Sequence, residues 1–138
     1  MRTTDPDSPR FEWRGSLTDL ELNALHAEAF DHPLSDDDWT ANLARLSLGW
    51  VTARDDDGLV GFVNVVWDGL THAFLLDTIV AARARRRGVG SRLVDIARSH
   101  ATEAGCDWLH VDFEEHLTGF YVGACGFGST PAGLVRLR

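Results

Sequence analysis

The chain lacks lysine altogether and has only two cysteines, Cys106 and Cys125, among its 138 residues. Without lysine it cannot form the phosphate loop of nucleotide hydrolases, in which Lys-Ser/Thr follows the glycines. Two cysteines without metal-motif spacing give no disulfide framework, so a reduced, cytoplasmic protein is expected. The longest apolar runs, such as Leu59–Trp67, are far too short to span a membrane. Residues 1–10 are polar with two prolines and predict a loose tail, not a signal peptide.

Positive charge is also scarce, since the net charge is -8 at pH 7. This acidity argues against general nucleic-acid binding. Five of the thirteen arginines nevertheless lie within Arg83–Arg92. A local basic spot on an acidic protein suits a small anionic ligand, while the remaining acidity favours a cationic or amine partner. A nucleic-acid contact through these arginines is an alternative that the total charge disfavours, and it would depend steeply on salt.

The length and composition predict one domain, over residues 11–138, with room for a single core. Turn signals and apolar periodicity predict a mixed α/β sheet in the order β-α-α-β-β-β-α-β-α-β-β. The predicted strands are Phe11–Arg14, Trp50–Arg54, Leu59–Trp67, His72–Val80, Trp108–Phe113, Phe127–Ser129 and Gly133–Leu137. Because a helix connects His72–Val80 to Trp108–Phe113, this pair is expected to be parallel.

Caps and stop signals predict four helices between these strands. The first begins after Ser16 or Thr18 and runs to about Phe30. The third follows Gly88, and the fourth is a short helix over Thr118–Ala124.

The second helix is expected to begin after a cap at Ser35. Asp36–Asp38 would then lie in its first turn, where the helix dipole favours acidic side chains. Gly49 is expected to close this helix.

An arginine-rich turn with two glycines, Arg85-Arg86-Arg87-Gly88-Val89-Gly90-Ser91, joins a β-branched strand to an amphipathic helix. A helix start offers unpaired backbone N–H groups and the positive end of the helix dipole, so it can hold a phosphate. Gly88 and Gly90 let the main chain approach an anion closely. The single Gly-x-Gly lacks the third glycine of a dinucleotide fingerprint. The alternative is an ordinary turn with arginines that face water.

The turn Arg85–Gly90 and the later run Phe120–Phe127, FYVGACGF, together resemble two motifs of the GCN5-related N-acetyltransferase (GNAT) family. The element order agrees with that family, and the resemblance covers roughly Phe11 to Leu137. It implies the single-domain acyl-CoA N-acyltransferase (GNAT) fold and an acetyl-CoA-dependent N-acetyltransferase. The acetyl group would move directly to an amine of a small molecule or peptide in a ternary complex. Dimers are common in the family, so the resemblance allows a homodimer.

The resemblance also implies roles for individual residues. Tyr121 would protonate the departing CoA thiolate as a general acid. The main chain of Thr78–Val80 would pair with the pantetheine arm like an added strand, and an N–H near Ile79 or Val80 would polarise the thioester carbonyl. The residues implied to bind acetyl-CoA are Thr78, Ile79, Val80, Arg85, Arg86, Arg87, Gly88, Val89, Gly90 and Ser91.

The sequence leaves the general base open. Glu114 stands where the family often has Asn, and the catalytic glutamate of some members would fall near Leu109 and His110. The candidates for the base are Asp77, His110, Asp112, Glu114, Glu115 and His116. Asp77 is the preferred candidate for the base, because it lies on the strand that is implied to lie next to the thioester.

These departures from the family also support a second hypothesis, a catalytically silent CoA-binding or regulatory domain of the same fold. Glu28 and His32, at the end of the first helix, are expected from the family's layout to line the acceptor entrance. No metal is expected, because His110-x-Asp112 and Glu115-His116 lack the spacing of a zinc site.

Overall fold

A computed structural model describes residues 8–138, so residues 1–7 of the predicted loose tail lie outside the described part. Within residues 8–138 the strands and α-helices are, in chain order, β1 Arg10–Trp13, α1 Asp19–Phe30, α2 Trp39–Leu46, β2 Ser47–Asp55, β3 Gly58–Trp67, β4 His72–Val80, α3 Val89–Glu103 and β5 Trp108–His110. The chain also forms two 3-10 turns, Ala82–Ala84 and Glu115–Leu117, and a π-helix, Gly119–Ala124. None of the helices described has the length and apolarity that crossing a bilayer would require.

One sheet contains the five strands in the order β1-β2-β3-β4-β5. The pairs β1–β2, β2–β3 and β3–β4 are antiparallel, and the β2–β3 hairpin closes where Asp55 pairs with Gly58. After the crossover through α3, β5 runs parallel to β4 as predicted. The mixed α/β fold class predicted from the sequence is confirmed.

Helices cover both faces of this sheet. On one face, Trp39 of α2 packs edge-on against Phe62 of β3, with 6.1 Å between the ring centroids. On the other face, a β-carbon added at Gly61 would lie 3.1 Å from Val89 and 3.2 Å from Leu93, both of α3. Each layer contributes fully buried apolar side chains, such as Leu22 of α1, Val65 of β3 and Leu93 of α3. Burial of one such side chain stabilises the fold by about 1.5–3 kcal/mol relative to leaving it exposed.

The start of α1 confirms one of the two predicted caps. The Thr18 hydroxyl accepts the Glu21 N–H at 3.1 Å, and the Glu21 carboxylate accepts the Thr18 N–H at 3.0 Å. This reciprocal pair is a capping box, which satisfies two N–H groups that the helix itself cannot. The helix ends at Phe30, as predicted.

The prediction for the start of α2 was wrong, because this helix begins at Trp39 rather than after Ser35. Its cap comes from the neighbouring helix: the Asp19 carboxylate of α1 accepts the Thr40 N–H at 2.8 Å. Asp36–Asp38 therefore precede the helix instead of forming its first turn.

Gly49 does not close α2, since it lies inside β2 and pairs with Val65 of β3. A β-carbon at this position would lie 2.1 Å from the ring of Trp13. The glycine thus leaves room for Trp13, which stacks on His100 of α3 at 4.2 Å between ring centroids.

The described sheet ends at β5, and the two strands predicted over Phe127–Ser129 and Gly133–Leu137 are not formed. That prediction was wrong because most apolar residues there cover no core: Phe127 packs against Tyr121, but Leu134 is 83% exposed and Leu137 is 89% exposed. Pro131, between the two segments, also lacks the N–H that a strand ladder uses. β5 itself stops at His110 instead of continuing to residue 113.

Candidate functional site

The strands β4 and β5 separate partway along their length. Within residues 8–138 they pair only over His72–Phe74 and Trp108–His110, so Leu75–Val80 continues without β5 beside it. A cavity of about 1050 Å³ opens between this part of β4 and the segment that follows β5. The backbone groups along such an unpaired edge can pair with an extended ligand.

This cavity brings together residues from the end of α1, from β4, from the segment after β5 and from the π-helix. Six of the predicted site residues line it: Asp77, Thr78, Ile79, Val80, Arg85 and Tyr121. Three other base candidates also line it: Asp112, Glu114 and His116. The remaining predicted CoA-binding residues are not in the lining and lie at the adjoining start of α3: Arg86, Arg87, Gly88, Val89, Gly90 and Ser91. Also outside the lining are His110, Glu115, Glu28 and His32.

Asp77 occupies an irregular position in β4. Asn64 pairs with Leu76 and Phe62 pairs with Ile79, so β4 has one residue more than β3 between these pairs. This extra residue forms a β-bulge, a feature that re-aims side chains. Asp77 has φ 55°, in the left-handed region that aspartate tolerates better than most residues. The bulge brings its carboxylate to α1.

A line of polar contacts leads from Asp77 through His26 to His32. Asp77 Oδ1 lies 3.3 Å from His26 Nε2, and His26 Nδ1 lies 2.6 Å from His32 Nε2. The line ends where His32 Nδ1 lies 2.7 Å from the Pro33 carbonyl. His26 was not among the site residues predicted from the sequence. Its spacing of six residues from His32 does not place the two side chains on one helix face, so the sequence alone does not indicate that they meet. The left-handed Asp31, with φ 50°, ends α1 and turns His32 back onto His26.

Tyr121 is held in a cluster of aromatic rings and is only 6% exposed. Its ring stacks on Phe113 at 4.8 Å between centroids and meets Phe120 and Phe127 edge-on. Burial raises the pKa of the Tyr121 phenol, and the nearby Thr78 side chain opposes part of that rise. The phenol is therefore protonated near neutral pH and can donate a proton into the cavity.

The start of α3 has no side-chain cap among the described residues. Gly88 stands at the cap with φ 75° and offers no side chain to the first turn. Backbone N–H groups there are available to an anion. Arg85 Nε donates to the Val80 carbonyl at 3.3 Å, which ties the arginine turn to the end of β4.

One arginine of the basic spot is engaged elsewhere. Arg83 forms an ion pair with Asp55 and lies 4.0 Å from the Asp57 carboxylate, both in the β2–β3 hairpin. Arg85–Arg87 are exposed beside the helix start. These three side chains add positive charge directly before the available N–H groups in the chain.

Acidic side chains dominate the charged lining of the cavity. Its carboxylates are Asp31, Asp77, Asp112 and Glu114, against a single arginine, Arg85. A cleft lined by one sign of charge attracts ligands of the opposite sign. Among residues 8–138, no three or more His, Cys, Asp and Glu side chains are grouped so that they could hold a metal ion.

Comparisons with known proteins match this geometry to one family. The sequence pattern of the acetyltransferase (GNAT) family matches residues 14–127. A glucosamine 6-phosphate N-acetyltransferase 1 from Oryza sativa subsp. japonica is 43% identical over 51 residues, which are 37% of this chain and 30% of the rice protein. The match therefore spans less than a third of that relative's length.

Solved structures of acetyltransferases resemble the whole fold. A putative acetyltransferase from Deinococcus radiodurans R1 is 25% identical, with a TM-score of 0.71 over 99% of this chain and 94% of its own. The aminoglycoside N-acetyltransferase AAC(6')-Iy, solved in complex with CoA, is 22% identical, with a TM-score of 0.71 over 98% and 99% of the two chains. Because the family pattern extends over both sequence motifs and most of the chain, this protein belongs to the acetyltransferase (GNAT) family, whose members are acetyl-CoA-dependent acyltransferases.

Proposed function

We propose that the protein is an N-acetyltransferase that moves the acetyl group of acetyl-CoA directly to an amine within a ternary complex. The observation that carries this proposal is the cavity, which is lined both by the unpaired edge of β4 and by the Tyr121 phenol. A thioester laid along β4 would have an acid beside its sulfur and open space for the amine. Both substrates can then be held together, so no covalent enzyme intermediate is needed.

Acetyl-CoA would bind along two adjoining surfaces. The main chain of Thr78–Val80 would pair with the pantetheine arm, because on the side of β5 that stretch of β4 has no strand beside it among the described residues. The N–H groups of Arg86–Ser91 would hold the pyrophosphate at the uncapped start of α3. The exposed guanidinium groups of Arg85–Arg87 would add charge-assisted hydrogen bonds.

The reaction needs a base for the amine proton and an acid for the departing sulfur. The amine gives a proton to Asp77 and its nitrogen attacks the carbonyl carbon, so that a C–N bond forms as the C–S bond breaks. Tyr121 gives its proton to the CoA sulfur, and solvent returns one to the phenolate. A main-chain N–H near Ile79 or Val80 would stabilise the charge on the carbonyl oxygen. Each positioned acid or base typically contributes about 10²–10⁴-fold in rate.

The acceptor amine would carry additional positive charge. The four carboxylates in the lining favour a polycationic amine and disfavour a phosphorylated one. Each unit-charge pair at 4 Å is worth about 1 kcal/mol in water and more where water is excluded. Two of the similar proteins are acetyltransferases of aminoglycosides and of glucosamine 6-phosphate. Of these two acceptors, an aminoglycoside therefore suits this cavity better.

Calorimetry and a thiol-release assay test this function together. We expect heat on addition of acetyl-CoA, and release of free CoA thiol with aminoglycosides or polyamines in preference to glucosamine 6-phosphate. Absence of heat with acetyl-CoA or CoA at roughly millimolar ligand, about 4 kcal/mol of binding free energy, would remove the proposal.

A catalytically silent CoA-binding domain is the second candidate, and Glu114 is the observation that favours it. Its carboxylate lines the cavity where the family often has an uncharged Asn. A silent domain would bind CoA but release no thiol with any amine of the panel. Turnover that appears only in Glu114→Asn would identify this carboxylate as the cause of the silence.

A further inference from the structure

We propose that His26 and His32 form a proton relay behind Asp77, through which the proton lost by the acceptor amine leaves the cavity. The inference rests on the proposed function. Asp77 lines the cavity, whereas Pro33 at the other end of the line of contacts is exposed. Neither histidine is part of the cavity lining. Both therefore act through Asp77, as positioning residues for its proton.

The number of protons in this line of contacts defines its working state. Three contacts join the Asp77 carboxylate, the rings of His26 and His32, and the Pro33 carbonyl. While the carboxylate is ionised both ends are acceptors, so the three contacts then need three protons on the four ring nitrogens. Two neutral imidazoles carry only two protons. The hydrogen-bond chain is complete only after it has taken up one proton from outside.

That third proton has two positions in the chain. In one arrangement Asp77 is ionised, and His32 is an imidazolium that donates from both ring nitrogens. In the other, Asp77 is protonated and both rings are neutral. One converts into the other when two protons each move along an existing contact, at 3.3 Å and at 2.6 Å, and no ring has to turn. A proton accepted by Asp77 can thus appear on half-buried His32, which releases its Nδ1 proton to water at the exposed Pro33 end. The two protons left on the Nε2 atoms return to the Nδ1 atoms by exchange with solvent before the next turnover.

Packing partly shields the first link of this chain, between Asp77 and His26, from bulk water. The side chains of His26 and Asp77 are 24% and 29% exposed. The His26 ring lies 4.5 Å from the Phe30 ring and 5.6 Å from the Trp39 ring, measured between centroids. These rings hold His26 in one orientation, so its two nitrogens stay aligned with their partners.

Few other charged groups face the pair. From β4 it meets Asp77, and α2 contributes the uncharged ring of Trp39. At the end of α1, Asp31 lines the same cavity, and Glu28 accepts the Ala82 N–H at 2.9 Å. The carboxylate in contact with the pair is that of Asp77, so a proton entering the cavity reaches the histidines through it.

A second histidine pair provides a matched control. His72 Nδ1 lies 2.7 Å from His110 Nε2, and Phe74 stacks on His110 at 4.4 Å between centroids. Neither histidine lines the cavity. The His72 main-chain N–H donates to the Asp68 carboxylate at 3.1 Å, but within residues 8–138 neither ring forms an ion pair with a carboxylate. This pair shares the short ring contact but not the connection to the site.

Nuclear magnetic resonance of ring nitrogens in histidine-labelled full-length protein tests the chain without any substrate. We expect a coupling between His26 Nδ1 and His32 Nε2 across a shared proton, because the two nitrogens lie 2.6 Å apart. Asp77→Asn, which suits the left-handed backbone, should weaken this coupling, because the carboxylate at the end of the chain is gone. His72→Gln should leave it unchanged. Absence of the coupling in the wild-type protein, or a coupling unaffected by Asp77→Asn, would overturn the relay.

Kinetics with an accepted amine tests the direction of the relay. His26→Gln and His32→Gln should each lower kcat about tenfold or more near neutral pH while leaving KM for acetyl-CoA unchanged. The loss should disappear as the pH approaches the amine's own pKa, since water can then take the proton. A loss of equal size at every pH, or none, contradicts the relay. If circular dichroism finds His26→Gln unfolded, the half-buried His32 variant decides.

Turnover by the wild-type protein is judged separately. Wild-type binding of acetyl-CoA and release of thiol support the proposed function whatever the histidine variants do. A protein that binds CoA without turnover fails the proposed function, and the coupling between the ring nitrogens of His26 and His32 still decides whether the proton chain exists.

Discussion

Gly90, in the first turn of α3, faces Phe120 so closely that a β-carbon at position 90 would lie 3.1 Å from two atoms of that ring. The same β-carbon would lie 3.7 Å from Val80 Cγ2. A position without a side chain therefore joins the arginine turn, the end of β4 and the π-helix that carries Tyr121. The second glycine of the motif serves packing between these three segments as well as the approach of an anion.

Gly90→Val is expected to weaken acetyl-CoA binding by about tenfold or more, which corresponds to about 1.4 kcal/mol. The branched side chain must push Phe120 or the start of α3 away, and overpacking of this kind costs about 1–3 kcal/mol. Calorimetry on the folded variant measures the change. Gly133→Ala is the control, because nothing lies within 4 Å of its added β-carbon. Equal acetyl-CoA affinity in Gly90→Val and wild type would contradict the prediction.

Tyr121→Phe is expected to lower kcat by about 10²-fold or more while the affinity for acetyl-CoA stays nearly the same. The phenylalanine keeps the ring stack on Phe113 but has no proton to give. Steady-state kinetics and calorimetry separate the two effects. Phe127→Leu removes a neighbouring ring and leaves the hydroxyl, so it should cost much less turnover.

The same residue predicts a feature of the pH profile. Because burial raises the pKa of the Tyr121 phenol above its ordinary value of 10, the acid form persists throughout the neutral and mildly alkaline range. Loss of wild-type turnover through deprotonation of this group is expected only above pH 10. A fall in kcat that begins near neutral pH on the alkaline side would exclude Tyr121 as its source.

Arg87→Gln is expected to weaken acetyl-CoA binding about three- to tenfold at low salt, because one charge beside the start of α3 is lost. The difference from wild type should shrink as salt is added, since exposed charges are screened. Calorimetry at two salt concentrations measures both. Arg83→Gln is the matched control, because Arg83 is paired with Asp55. Similar losses of affinity in the two variants would argue against phosphate contact at the turn.

Glu21 and Arg54 predict a pH dependence of stability. The Glu21 carboxylate accepts from the Arg54 guanidinium at 2.6 and 2.8 Å, and chiefly for this reason the pKa of Glu21 falls from 4.5 to about 2. A lowered folded-state pKa adds stability that is fully present above pH 4.5 and is lost as the pH falls towards 2.

Glu21→Gln should therefore lower the free energy of unfolding by about 1–2 kcal/mol at neutral pH, with part of the loss from the capping box. The gap to the wild type should close between pH 4.5 and pH 2. Urea unfolding at several pH values measures it. Asp56→Asn is the control: its pair with Arg10 is exposed on both sides, at 73% and 62%, and should contribute nothing measurable. A gap that stays constant with pH would show that the ion pair is not the cause.

The elements that the sequence predicted well depend on neighbours in the chain. The capping box needs Thr18 and Glu21 three residues apart, and the hairpin needs the turn between Asp55 and Gly58. Periodic apolar residues likewise predicted β3, β4 and α3. Each of these signals is contained in one stretch of the sequence.

The errors occurred where a distant partner decides. The first turn of α2 is capped by Asp19, which is 21 residues from Thr40. A glycine is required at position 49 because the ring of Trp13, in the neighbouring strand β1, would lie 2.1 Å from an added β-carbon. The C-terminal segments alternate correctly for strands, but Phe127 alone of their apolar residues packs against the core, while Leu134, Val135 and Leu137 are exposed. Alternation alone does not supply a surface to cover.

By itself the sequence determined the family, the arginine turn and the single tyrosine, because these are residue types at fixed short spacings. Only the tertiary structure decided which carboxylates line the cavity and which side chains contact those carboxylates from outside it. His26 and Asp77 are 51 residues apart in the chain. They meet because a bulge in β4 directs the Asp77 side chain towards α1. The left-handed Asp31, directly after α1, turns His32 back onto His26. Both arrangements depend on the packing of α1 on the sheet.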